Sequence, residues 1–98
     1  MAYRITPFYD YAVTVSTVSA QVVGGTNVVF MLEQRPKTDI TSAGTDIWTG
    51  DITAVEGGWI GGTSSDFTMP AEYALFVVIT SVSGNVTAFE IMGEITRD

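Results

Sequence analysis

The chain contains no cysteine and no histidine. The first absence excludes disulfides, thiolate catalysis and zinc–thiolate sites together. The second removes the commonest general base and metal ligand near neutral pH. Basic residues are scarce as well: Arg4, Arg35, Lys37 and Arg97 stand against 11 acidic residues, for a formal charge of −7. They form no run, so nucleic-acid binding through counterion release is not expected. Long apolar runs are missing too. The longest, residues 74–79, falls far short of the roughly 20 residues a helix needs to cross a bilayer, so no membrane partner is expected. Met1-Ala2-Tyr3-Arg4-Ile5-Thr6-Pro7 has neither the basic nor the apolar region of a signal peptide. Use without secretory export is the expectation, and Asn85-Val86-Thr87 then reads as a turn rather than a glycosylation site.

What is present is β-forming. Val, Thr and Ile dominate, and no window carries apolar residues at helical spacing. The 98 residues suffice for one domain with its own core. Residues 1–10 read as an extended arm, with Pro7 blocking a helix and Tyr3, Phe8 and Tyr9 as apolar anchors. Residues 11–98 form a single β domain. Its first strand, residues 11–18, alternates, with Tyr11, Val13 and Val15 on one face, and it can continue to Val23. Gly24-Gly25 offers a tight turn into a second strand over residues 27–34, which Pro36 ends because proline has no N–H for the ladder. Residues 36–46 are a polar loop. Residues 47–56 are one bulged strand or two short ones around Gly50-Asp51, with Trp48, Ile52 and Ala54 sharing a face.

Residues 73–95 give the strongest local pattern, a hairpin turning at Gly84-Asn85, where both residues accept positive φ cheaply. Its first strand, Tyr73-Ala74-Leu75-Phe76-Val77-Val78-Ile79, is apolar on both faces, so something must cover each side. A two-residue turn would pair Val78 with Ile91 and set Phe76 across from Gly93. Phe76, Val78, Phe89, Ile91 and Ile95 then form a core face. Leu75, Val77, Ile79, Ala88 and Met92 form an apolar stripe edged by Glu90 and Glu94, which suits a subunit seam. The expected architecture is all-β, an antiparallel β-sandwich of jelly-roll-like form with about five to eight strands.

Chemistry-bearing patterns are few. Trp59-Ile60, between two Gly-Gly pairs, is either a ligand-binding tip or a plug that closes one end of the sandwich. The surrounding glycines lack the Lys-Ser/Thr of a phosphate loop. Asp39, Asp46, Asp51 and Asp66 are candidates to gather around calcium, but Ala43 cannot ligate and Gly50 stands where a bidentate glutamate belongs. Solvated turn residues are the plainer reading. Glu90 and Glu94 would sit roughly 13 Å apart along one strand face, too far for a glycosidase acid and base pair. Without histidine no nucleophilic triad can be assembled, so no enzyme and no cofactor are expected.

An aromatic amino-terminal segment (Tyr3, Phe8, Tyr9, Tyr11), few charges, no cysteine and Val/Thr-rich strands together give a chain that resembles the small decoration or cement proteins of tailed-phage heads. The resemblance spans the whole chain without a diagnostic motif and transfers no individual residue. It implies a non-enzymatic virion structural protein, made in the host cytoplasm and docked on a major capsid protein or another virion protein as a homo-oligomer, with a trimer as the simplest guess. On that reading Tyr3, Phe8 and Tyr9 dock on the capsid, and Leu75, Val77 and Met92 mediate self-association. The alternative is a carbohydrate- or receptor-binding β-sandwich that uses Trp59 and Ile60 as its ligand tip.

Overall fold

The computed structural model describes residues 2–47, 52–56, 60–61 and 66–98, with 60–61 described by backbone alone. Among these residues there are nine strands and no helix: β1 (Ala2–Arg4), β2 (Val13–Val23), β3 (Asn27–Pro36), β4 (Thr45–Asp46), β5 (Ile52–Val55), β6 (Ile60–Gly61), β7 (Phe67–Met69), β8 (Tyr73–Ser83) and β9 (Ala88–Arg97). The expected all-β antiparallel sandwich is the architecture found. The strand number exceeds the expected range because β4 and β6 are two-residue pieces.

One sheet runs β1-β8-β3, with β4 and β5 pairing opposite ends of the far edge of β3. The other centres on β2, with β9 on one side and β6 and β7 on the other. Inward residues of both sheets form one core. Val13, Val15, Val18, Ala20 and Val22 come from β2, and Val28, Phe30 and Leu32 from β3. Ala54, Met69, Leu75 and Val77 complete it. Within residues 47–56 the described strand is β5, which pairs Asn27–Phe30, while residues 48–51 lie outside the described residues; β4 falls instead at the end of the expected 36–46 loop, where Thr45 and Asp46 pair Gln34 and Glu33. Ala54 is fully buried and Ile52 half-buried on the expected shared face, while Trp48 lies outside the described residues.

Both expected hairpins are corners instead. β8 pairs with β3 and β1, and β9 pairs with β2 in the other sheet. Likewise β2 and β3 do not pair with each other. Residues 24–26 and 84–87 carry the two chains from sheet to sheet side by side, so that Asn27 pairs Ser83 on one side of the corner and Val23 pairs Ala88 on the other. The result is a single two-stranded antiparallel ribbon, β2–β3 against β9–β8, bent in its middle. The bend is sewn by Thr26 N–H donating to the Ser83 carbonyl at 2.8 Å and Thr87 N–H donating to the Val23 carbonyl at 2.9 Å. Gly24, Gly25 and Gly84 have φ of +73°, +70° and +80°. The glycines therefore serve positive φ as expected, but in corners rather than hairpin turns.

This rearrangement removes the expected contact between Phe76 and Gly93. Phe76 pairs with Glu33 and Arg4. Gly93 instead faces a bulge in β2, where the register shifts between Ser16 and Ser19 and Thr17 takes φ of +50°. A Cβ on Gly93 would lie 3.1 Å from Val18 Cγ2, so the glycine leaves room for the inserted valine. The bulge also reverses the alternation of β2, from Val13 and Val15 inward to Val18, Ala20 and Val22 inward.

The two-sided apolar strand β8 is covered as its composition demands, and by this chain itself. Leu75, Val77 and Ile79 face the core. On the outer side, Ala74 and Phe76 lie beneath the amino-terminal segment and the 37–44 loop. Phe8 stacks on Phe76 with centroids 6.4 Å apart, Arg35 lies 5.1 Å above the Phe76 ring, and Arg4 lies 5.1 Å above Phe8. Residues 2–10 are thus part of the domain rather than a separate arm. β1 pairs with β8, Leu75 N–H donates to Thr6 Oγ1 at 2.9 Å, and Glu72 N–H donates to the Tyr9 carbonyl at 2.7 Å.

Candidate functional site: an apolar cleft between the sheets

On the β5 side the sandwich is closed: Val22 and Glu56 form a bridge between the sheets, and Ala54 is wholly buried. The opposite side stands open. There β1 and β8 of one sheet and β9 and β2 of the other line an apolar cleft of about 570 Å³, within the size range of sites that hold a ligand or a partner's side chains. Its floor is Leu75 and Val77, 3% and 4% exposed, with Val15 and Val18 from the facing sheet. Its rim is Tyr3 at 47% exposure and Met92 at 59%, together with Ile5 and Ile95. The only described polar side chains lining it are those of Tyr3 and Thr6, and the Thr6 hydroxyl is engaged by Leu75 N–H and the Pro7 carbonyl.

Local sequence explains why the cleft is open. The β2 bulge and Gly93 thin the β9 wall, since Gly93 contributes no side chain to it. β1 is only three residues long, so the β1 edge covers little of the gap. β9 is an edge strand, and among the described residues its outer edge pairs with nothing. Residues 92–97 of β9 are all exposed.

Four of the docking and self-association candidates meet here: Tyr3, Leu75, Val77 and Met92. Their roles within it differ from the expectation. Leu75 and Val77 belong to the chain's own core, because β8 sits in the sheet opposite β9 and turns them inward. They are not an outward stripe for flat subunit packing. Met92 alone of that set is at the surface. Phe8 and Tyr9 are elsewhere, Phe8 on Phe76 and Tyr9 against the Tyr11 ring at 5.7 Å, where both strap the amino-terminal segment to the domain. Trp59 and the side chain of Ile60 lie outside the described residues, as does Asp51.

Sequence reasoning missed Ile5, Val15, Val18 and Ile95 as cleft residues. A signal for the bulge was present, since the small apolar residues of β2 change from odd to even positions between Val15 and Val18.

The other acidic candidates are not gathered into a site. No cluster of three or more metal-ligating side chains occurs among the described residues. Asp39 Oδ1 accepts from Thr41 N–H, Thr41 Oγ1 and Ser42 N–H, each at 3.2 Å. Hydrogen bonds from Ser42 and then Thr41 hold its carboxyl below the ordinary carboxylate value. That is an Asx turn closing the 37–44 loop. No family model, no curated protein and no solved structure matches the chain, so the site is interpreted from its own geometry.

Proposed function

We propose that this chain is a non-enzymatic virion structural protein that decorates or cements a capsid surface, with the cleft between β1–β8 and β9 as its docking seam. The observation that supports this reading is an open apolar cleft with an exposed rim of Tyr3, Ile5, Met92 and Ile95 on a chain with only 15% charged residues. Side chains of a partner entering the cleft would cover Leu75 and Val77 further and remove the rim from water, at about 25 cal/mol per Å² of apolar area. Repetition on a lattice multiplies modest single-site affinity.

The test is co-sedimentation with assembled shells of the virus that encodes the chain, together with native mass from light scattering. Deleting residues 1–10 is not a clean test, because it removes β1 and the buried Thr6 contact. Rim variants are. Met92→Asp and Ile95→Asp, both at exposed positions, are expected to stay folded and to lose shell binding. Folded variants that sediment with shells as the parent does would refute the docking seam.

A further inference from the structure

We infer that the cleft is completed by an extended segment of a different, positively charged protein, which adds as a strand to the outer edge of β9. The inference rests on the docking reading above and specifies the partner's chemistry.

Three observations lead to it. First, β9 borders the cleft and presents an unpaired backbone edge among the described residues, a template for strand addition. Second, the residues of β9 alternate. Phe89, Ile91, Gly93 and Ile95 line the cleft, while Glu90, Met92 and Glu94 form the alternate set, of which Met92 reaches the cleft rim and Glu90 and Glu94 do not line it. A strand laid along this edge has its own alternation: one set of side chains continues over the cleft toward Tyr3 and Ile5, and the other set lies beside Glu90 and Glu94. Third, those two carboxylates make no ion pair among the described residues. Their neighbours across β2 are Gln21 and Ser16, and the only ion pair among the described residues is Glu33 with Arg35.

A second copy of this chain fits poorly. Its arginines lie over rings, Arg4 over Phe8, Arg35 over Phe76 and Arg97 over Tyr11, which leaves the single exposed Lys37 where two cations are needed, and each copy brings a charge of −7. A two-fold β9–β9 pair centred on Met92 would set Glu90 against Glu94 of the other copy, a like-charge contact that destabilises a sheet. The fitting occupant has apolar residues at alternate positions and Lys or Arg four residues apart on its other face.

The experiment uses the full chain and two synthetic peptides, Lys-Val-Thr-Val-Lys-Val-Thr and Glu-Val-Thr-Val-Glu-Val-Thr. Binding is read by fluorescence anisotropy at two salt concentrations, and the site by amide hydrogen exchange. The lysine peptide is expected to bind, to weaken as salt rises, and to protect amides of β9 that β2 leaves exposed. The doubly reversed variant Glu90→Lys/Glu94→Lys is expected to lose about tenfold in affinity for the lysine peptide and to gain for the glutamate peptide. Equal binding of the two peptides, no binding of either, or protection away from β9 would overturn the inference. If the peptides fail while Met92→Asp still abolishes shell binding, strand addition is wrong and the docking seam stands. If Met92→Asp leaves shell binding intact, the docking reading itself has failed.

Discussion

Glu33 and Arg35, two residues apart on β3, form an ion pair on the outer face of a sheet and yet are both buried. Glu33 Oε1 accepts from Arg35 Nε at 3.1 Å and Nη2 at 2.9 Å, and from Gly44 N–H at 3.0 Å. Arg35 Nη1 also donates to the Ile40 carbonyl at 2.9 Å, and its guanidinium covers Phe76. The pair thus anchors the 37–44 loop over the sheet. Removing one partner leaves the other buried and uncompensated, so Arg35→Met is expected to cost about 3 kcal/mol or more. The double variant Glu33→Met/Arg35→Met is expected to recover part of that loss. Urea unfolding of the three proteins checks both statements, and equal losses in the single and double variants would contradict them.

The corner that turns the ribbon from sheet to sheet depends on three glycines in contact with each other's strands. A Cβ on Gly25 would lie 2.6 Å from Val86 Cγ2, and one on Gly84 would lie 2.8 Å from Gly25 Cα. Both positions have positive φ. Alanine at either is therefore expected to destabilise by about 2 kcal/mol, from left-handed backbone strain with steric displacement added. Gly93→Ala makes a useful contrast. Its φ is not positive, its tightest contact would be Val18 Cγ2 at 3.1 Å, and the backbone atoms it meets, Ser16 O at 3.4 Å and Val18 Cα at 3.6 Å, lie at ordinary contact distance, so a smaller shift in melting temperature is expected than for Gly25→Ala.

Thr6 fastens the amino-terminal segment through a buried bond from Leu75 N–H. Thr6→Val keeps the shape and removes the acceptor, leaving that amide without a partner at a cost of about 1–3 kcal/mol. Hydrogen exchange should localise the effect, with faster exchange at Leu75 and in β1 than in β2. Uniform acceleration throughout the sandwich would mean that the segment does not open separately.

The Asx turn at Asp39 supplies a pH dependence. Donors from Ser42 and Thr41 depress its folded-state value below the ordinary 3.8. The ionised form therefore contributes to loop stability above the unfolded value, and that contribution is lost as pH falls below 3.8 through the lowered folded value. Asp39 is fully exposed, so the effect is expected in local loop order rather than in global unfolding. Carboxyl-carbon NMR titration of Asp39 checks the direction, and a midpoint above the ordinary value would contradict it.

The sequence by itself determined the class of secondary structure and the position of the long strands. Val, Ile and Thr in short runs without helical spacing favour strands, and the absence of cysteine excludes disulfides and thiolate chemistry. Demand for cover on both sides of β8 was also legible, because Tyr73 to Ile79 is apolar at every position. Only the tertiary structure decided what supplies that cover: Phe8 and Arg35 of the same chain on one side, the shared core on the other. It also decided which strand lies beside which. Gly24-Gly25 and Gly84-Asn85 satisfy a hairpin and a corner equally well, since either can use the positive φ that Gly24, Gly25 and Gly84 adopt here. Alternation assigns a residue to a face but not to a sheet. Strand choice is settled by pairing between segments far apart in the chain, β2 with β9 and β3 with β8. That pairing turned Leu75 and Val77 inward, left Met92 at the surface, and opened the cleft between them.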